Sequence, residues 1–218
     1  MGQVILTEHD PLMRGNHAAI ISRYDASILE SLREFLESIG YVGFANFDLK
    51  IDPRTQTAYV FECNPRLGRS SFYLRAAGMN ILKIFTEDVV YGHREDCMFA
   101  DTTALWRNVP MAVLKRYGQN RTLVQEAETL AGKGLCMSTR GCHEDRNLLR
   151  SLEMLRYDLA LARSYRRYPS AGDGWKWKIV GYEQKIDEKT YSSADHSGDI
   201  ALCRLCRYSD TAQCPAKL

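Results

Sequence analysis

The 218-residue chain has no apolar run approaching the eighteen or so residues that a membrane-crossing helix needs. Its first residues also lack a basic stretch followed by an apolar one, so no secretory signal is read there. These absences predict a cytoplasmic protein with no membrane span. An excess of one charge is missing as well: 29 Lys and Arg against 27 Asp and Glu leave a net charge of +2. With that near balance and no RNA- or DNA-reading motif, nucleic acid is not an expected partner. Regularly spaced cysteines are absent too. Seven of them, an odd number at irregular spacing, argue for reduced thiols rather than a disulfide framework.

What is present is an ordinary globular composition, 45% hydrophobic and 26% charged, in a chain long enough to bury a sizeable core. Its most informative part is Gly43 to Arg69. Phe44, Asn46, Asp48 and Lys50 alternate with Ala45, Phe47, Leu49 and Ile51, the period of a half-buried strand. In the second run Val60, Glu62 and Asn64 alternate with Tyr59, Phe61 and Cys63, and Pro53 to Thr57 supply turn chemistry between the two. A hairpin closing symmetrically about Thr55 sets Asp48 opposite Glu62 and Asn46 opposite Asn64.

Two carboxylates about 5 Å apart repel by roughly 3 kcal/mol at an effective dielectric near 20. One acid can stay protonated, solvent can screen the pair, or a divalent cation can bridge it with the Asn64 amide oxygen as a further hard ligand. All-oxygen ligation favours Mg²⁺ or Mn²⁺ over zinc. A surface hairpin with two solvated acids has the same spacing. Beyond the strand, Arg66, Gly68 and Arg69 place two guanidinium groups and a turn before a helix that Ser70 or Ser71 can cap, a setting suited to anions. Cys63 reads as a buried structural thiol on the apolar side of its strand.

The wording G-Y-V-G-F-A-N-F-D-x-K through F-E-x-N-P-R-x-G-R-S-S resembles the ATP-grasp ligases, in particular the D-aspartate ligase and carboxylate–amine ligase branch. That family carries an acid on one strand and E-x-N on the next, here Asp48, Glu62 and Asn64. The resemblance covers residues 2–92 well and continues more loosely to about residue 168. It implies an α+β fold, with an ATP-grasp carboxyl-terminal subdomain over residues 1–95 that is mainly antiparallel sheet packed with helices; by their own spacing, residues 96–168 read as a mostly helical extension, and 169–218, which do not resemble the family, as a poorly defined tail.

The resemblance also implies chemistry. Such enzymes transfer the ATP γ-phosphoryl group to a carboxylate, and an amine attacks the resulting acyl phosphate to form an amide. Asp48, Glu62 and Asn64 then hold one or two Mg²⁺ ions, and Arg66 stabilises the phosphoryl or acyl-phosphate oxygens. Lys50 contacts a phosphate, and Arg69 and Ser70 contact the carboxylate substrate. The implied partners are ATP and an amino-acid or peptide substrate. In the family an amino-terminal subdomain supplies phosphate-contacting lysines and much of the adenine pocket, and only about forty residues precede the hairpin here. A truncated product, an internal start or one half of a split enzyme is expected, with a second chain supplying that subdomain. The alternative is a non-catalytic ATP-grasp-like module or fragment that acts as a binding partner.

Around the hairpin, Met1 to Leu6 and Ala18 to Ser22 read as strands joined by a loop over Thr7 to Asn16, with His17 a polar surface group. Ala26 to Ile39 shows helical spacing of Ile28, Leu29, Leu32, Phe35, Leu36 and Ile39, ended by Gly40. Asn80 to Val90 reads as a second amphipathic helix belonging to the core. In the extension, Val109 to Tyr117, Thr122 to Leu130 and Asn147 to Tyr168 read as helices. Arg156, Arg163, Arg166 and Arg167 form a solvated basic face. In the tail, Trp175 to Lys178 suggest an exposed strand. His196, Cys203, Cys206 and Cys214 are conceivable zinc ligands, but a single C-x-x-C is weak and a loosely ordered tail is preferred.

Overall fold

Pairs of adjacent apolar residues in the first two strands serve opposite faces of one sheet. The computed structural model describes residues 1–13, 15–93, 98–140, 147–169 and 199–205, the last of these by backbone alone. Strands β1 (Gly2–Thr7) and β2 (His17–Ser22) pair antiparallel, and β5 (Leu105–Arg107) adds to the far edge of β2. Ile5, Ile21 and Leu105 pack into one cluster, and their neighbours Val4, Ile20 and Trp106 into another, as the pleat requires.

Helices α4 (Met111–Tyr117), α5 (Arg121–Gly132) and α6 (Leu148–Arg167) supply Val113, Leu114, Ala127, Leu130 and Tyr165 to the first cluster. Short helix α2 (Tyr73–Ala76) covers the second with Tyr73 and Leu74. Arg23, just past β2, forks onto Glu126 of α5 through two hydrogen bonds of 2.6 and 2.7 Å, tying sheet to helix layer.

Helix α1 (Ala26–Ser38) starts where the Asp25 side chain accepts the Ile28 amide. Its Leu32 and Leu36 are buried against Ala45, Phe47 and Leu49 of β3 (Gly43–Ile51), while Arg33 pairs outward with Glu30 and Glu37. Gly40 ends it at φ +64°, where the left-handed turn carries the Tyr41 amide back to the Leu36 carbonyl. β4 (Ala58–Asn64) completes the hairpin.

The full sheet has the order β4-β3-β7-β1-β2-β5-β6, with β6 spanning Cys136–Ser138 and β7 Asp199–Leu205. Its pairings are antiparallel apart from β5 with β6. The α+β class and the mainly antiparallel sheet agree with the sequence reading.

Three local expectations are corrected. The stretch 199–205, assigned to a loosely ordered tail, is the strand between β1 and β3. Its partners in β3 and β1 are far away in sequence, so no local periodicity reports them. Helix α3 (Ile81–Val89) lies mostly at the surface: Ile84 is buried while Leu82, Val89 and the adjoining Val90 are exposed. Neither Ser70 nor Ser71 caps α2, whose first flanking residue is Phe72. The third extension helix agrees with its expected span, but β5 and β6, three residues each, are too short to announce themselves as strands. The Trp175 to Lys178 strand and the zinc candidates His196, Cys206 and Cys214 lie outside the described residues, and Cys203 is described only by its backbone.

Leu36 is almost wholly buried between α1 and β3, and Leu12 lies on an exposed turn. Leu36→Ala is expected to cost about 2–5 kcal/mol in urea unfolding and Leu12→Ala less than about 0.5 kcal/mol.

Candidate functional site

The site is built by the parity of β3. Because Ala45, Phe47 and Leu49 are held in the core, Asn46, Asp48 and Lys50 must face the other way. Asn46 is buried, and Asp48 and Lys50 are partly exposed. Across the hairpin the register sets Asn46 opposite Asn64 and Asp48 opposite Glu62. The symmetric closure about Thr55 therefore holds at the acids.

It does not hold nearer the turn. Between Glu62 and Val60 the register slips by one residue, so Leu49 faces Val60 and Lys50 faces Tyr59. Phe61 is the extra residue of a β-bulge, and parity reverses beyond it. Tyr59, rather than Val60, thus shares the polar side with Lys50. β4 is also the outer strand of the sheet, and Cys63 is exposed there, contrary to the buried thiol expected from its alternation.

Electrostatics sharpen the acid pair. Burial, then the Glu62 charge, raise the Asp48 carboxyl above its ordinary value, while the Asn46 amide and the Arg66 guanidinium pull the other way. The Asn46 side-chain nitrogen donates to Asp48 Oδ1 at 3.4 Å. Among the described residues no third His, Cys, Asp or Glu joins the pair, so metal ligation here would draw on two carboxylates and amide oxygens. Those donors suit a small hard cation that retains several waters, the habit of Mg²⁺.

After Asn64 the chain folds back over the hairpin. A Cβ on Gly68 would stand 2.9 Å from Asn46 Oδ1, so only glycine lets the loop close on that amide. Ser71 Oγ donates to the Gly68 carbonyl at 2.7 Å and fixes the turn. Ser70 is buried and shares a 2.9 Å hydrogen bond with His17 Nδ1, and Arg69 donates to Asn16 Oδ1 at 2.7 Å. His17 is therefore no free surface group; burial lowers its pKa and favours the neutral ring.

The structure thus brings together Asp48, Glu62, Asn64 and Arg66, with Lys50 two residues along the same face of β3. Arg69 and Ser70 are joined instead to Asn16, at the end of the loop before β2, and to His17, the first residue of β2. Asn46, Asn16 and His17 belong to the same assembly and are missing from the sequence-based set. Asn46 could have been found from its parity with Asp48; Asn16 had no local signal, and His17, at the start of β2, offered only its place beside a polar loop.

No family model matches the chain, and no solved structure matches it. The chain is nevertheless ligase-related in sequence. It is 33% identical over 163 residues to the D-aspartate ligase of Enterococcus faecium (strain Aus0004), a match that takes in 71% of this chain and 38% of that protein. The matched region thus spans well under half the length of the relative. No helix among the described residues is long and apolar enough to cross a membrane.

The raised Asp48 pKa means that the folded protein holds its proton more tightly than the unfolded chain does. In metal-free buffer the resulting penalty is absent below the ordinary Asp range and sets in as pH rises through the folded pKa. Asp48→Asn is therefore expected to raise Tm at pH 7, with the gain vanishing near pH 3. Thermal scans at the two pH values check this, and a lower Tm at pH 7 would contradict it.

Proposed function

We propose that this chain carries the metal- and phosphate-binding part of a Mg-ATP-dependent carboxylate–amine ligase of the ATP-grasp type. The observation that supports it most is the in-register pairing of Asp48 with Glu62 and of Asn46 with Asn64 beside Arg66, in a chain that is 33% identical over 163 residues to a D-aspartate ligase. Asp48 and Glu62 repel each other, and a divalent ion held between them would relieve that repulsion.

In this reading Asp48 and Glu62 offer carboxylate oxygens and Asn64 its amide oxygen to Mg²⁺ or Mn²⁺. The bound ion would neutralise the phosphate oxygens of ATP. Arg66 presents a fork of donors to the transferring phosphoryl group, and Lys50 adds a positive charge on the same face. Arg69 and Ser70, held by Asn16 and His17, line the side from which an amino-acid carboxylate approaches. The carboxylate oxygen attacks the γ-phosphorus and the bond to ADP breaks. The amine then attacks the acyl carbon, phosphate leaves, and an amide remains. The working partners are ATP and an amino acid or peptide; the cytoplasm, where ATP is abundant, is the proposed location.

Calorimetric titration of ATP into the 218-residue chain, with and without Mg²⁺, tests this. Metal-dependent binding is expected, lost in the D48N/E62Q double variant and weakened about tenfold in Arg66→Ala, the usual effect of removing one charged fork. Absence of binding in both the chain and the double variant would favour the non-catalytic module.

A further inference from the structure

We infer that the leucine face of α6 is a dimerisation surface that receives α6 of a second copy of this chain in antiparallel orientation. The inference is independent of the ligase reading, since it concerns another helix and another measurement. The C-terminal half of α6 belongs to the body: Tyr165 is buried, Leu161 and Ala162 pack beside it, and Asp158 pairs with Arg140. Tyr165 also donates to the Thr7 carbonyl at 2.9 Å.

The rest of the helix carries a different pattern. Leu148, Leu152, Leu155 and Leu159 follow one another at intervals of four, three and four residues, the seam of a two-helix coiled coil rather than the broader face of a core helix. At 100° per residue this seam lies roughly a third of a turn from the body-facing side. The four leucines are 48–80% exposed, and Leu149 beside them is 73% exposed.

Area and charge decide the occupant. The five leucines leave bare on the order of 500 Å² of contiguous apolar surface, the upper end for a monomer. A pair of such faces, with their flanks, buries on the order of 1,000 Å², the lower limit for a specific interface. A parallel pair would continue the seam to Ala162 and set Arg166 against Arg166. An antiparallel pair instead matches Leu148 with Leu159 and Leu152 with Leu155 of the second copy, and leaves Arg166 beyond the last layer.

Sedimentation velocity of the full chain, in reductant because Cys63 is exposed, tests the surface over about 1 to 200 µM. A reversible dimer in the micromolar range is expected. The L152E/L155E variant, altered only at exposed positions, should stay monomeric with an unchanged circular dichroism spectrum. Arg166→Leu, which would lengthen a parallel seam but lies outside an antiparallel one, should leave the dimer unchanged. A wild-type monomer throughout the range, or a dimer indifferent to L152E/L155E, would overturn the surface. A dimer tightened about tenfold or more by Arg166→Leu would overturn the antiparallel arrangement.

Discussion

Strand β3 buries Ala45, Phe47 and Leu49 against α1 while turning Asn46, Asp48 and Lys50 away, and a slip of one residue would exchange the two sets. The cost of exposing a Phe and a Leu while burying an Asp and a Lys makes that exchange prohibitive. The hydrophobic contact beneath the strand thus fixes the position of the carboxylates above it. Everything said of the acid pair depends on this contact, including the approach of Gly68 to Asn46 and the influence of Arg66 on Asp48.

Much of this was legible from residue order alone. Asp48 faces Glu62 because alternation, turn chemistry and chain symmetry agree at that level of the hairpin. The span of α1, closed by Asp25 and Gly40, follows from apolar spacing and local capping. What escaped were features set by distant partners. The reversal at Phe61 cannot be read from alternating residues, because a bulge leaves the pattern of one strand intact and changes only its pairing. The exposure of Cys63 depends on β4 being outermost, and the placement of β7 on two strands far away in the chain.

Within the site, the loops were harder to read than the strands for the same reason. Asn16 and His17 reach Arg69 and Ser70 across 53 positions, so neither side of those hydrogen bonds carries a local signature. They link the loop after β4 to the junction where the preceding loop enters β2. An oxyanion-binding surface needs such ties if its donors are to be in place before the ligand arrives.

The bulge at Phe61 has a consequence for the chain among its neighbours. β4 presents its outer backbone groups to solvent, with Tyr59, Val60 and Phe61 exposed beside them. A flat strand of that composition would be a template for strands of other molecules. The extra residue interrupts the regular spacing of donors and acceptors and increases the local twist, so an incoming strand cannot keep its pairing along the whole edge. The irregularity that spoils the symmetry of the hairpin thereby makes its rim a poor seed for intermolecular sheet.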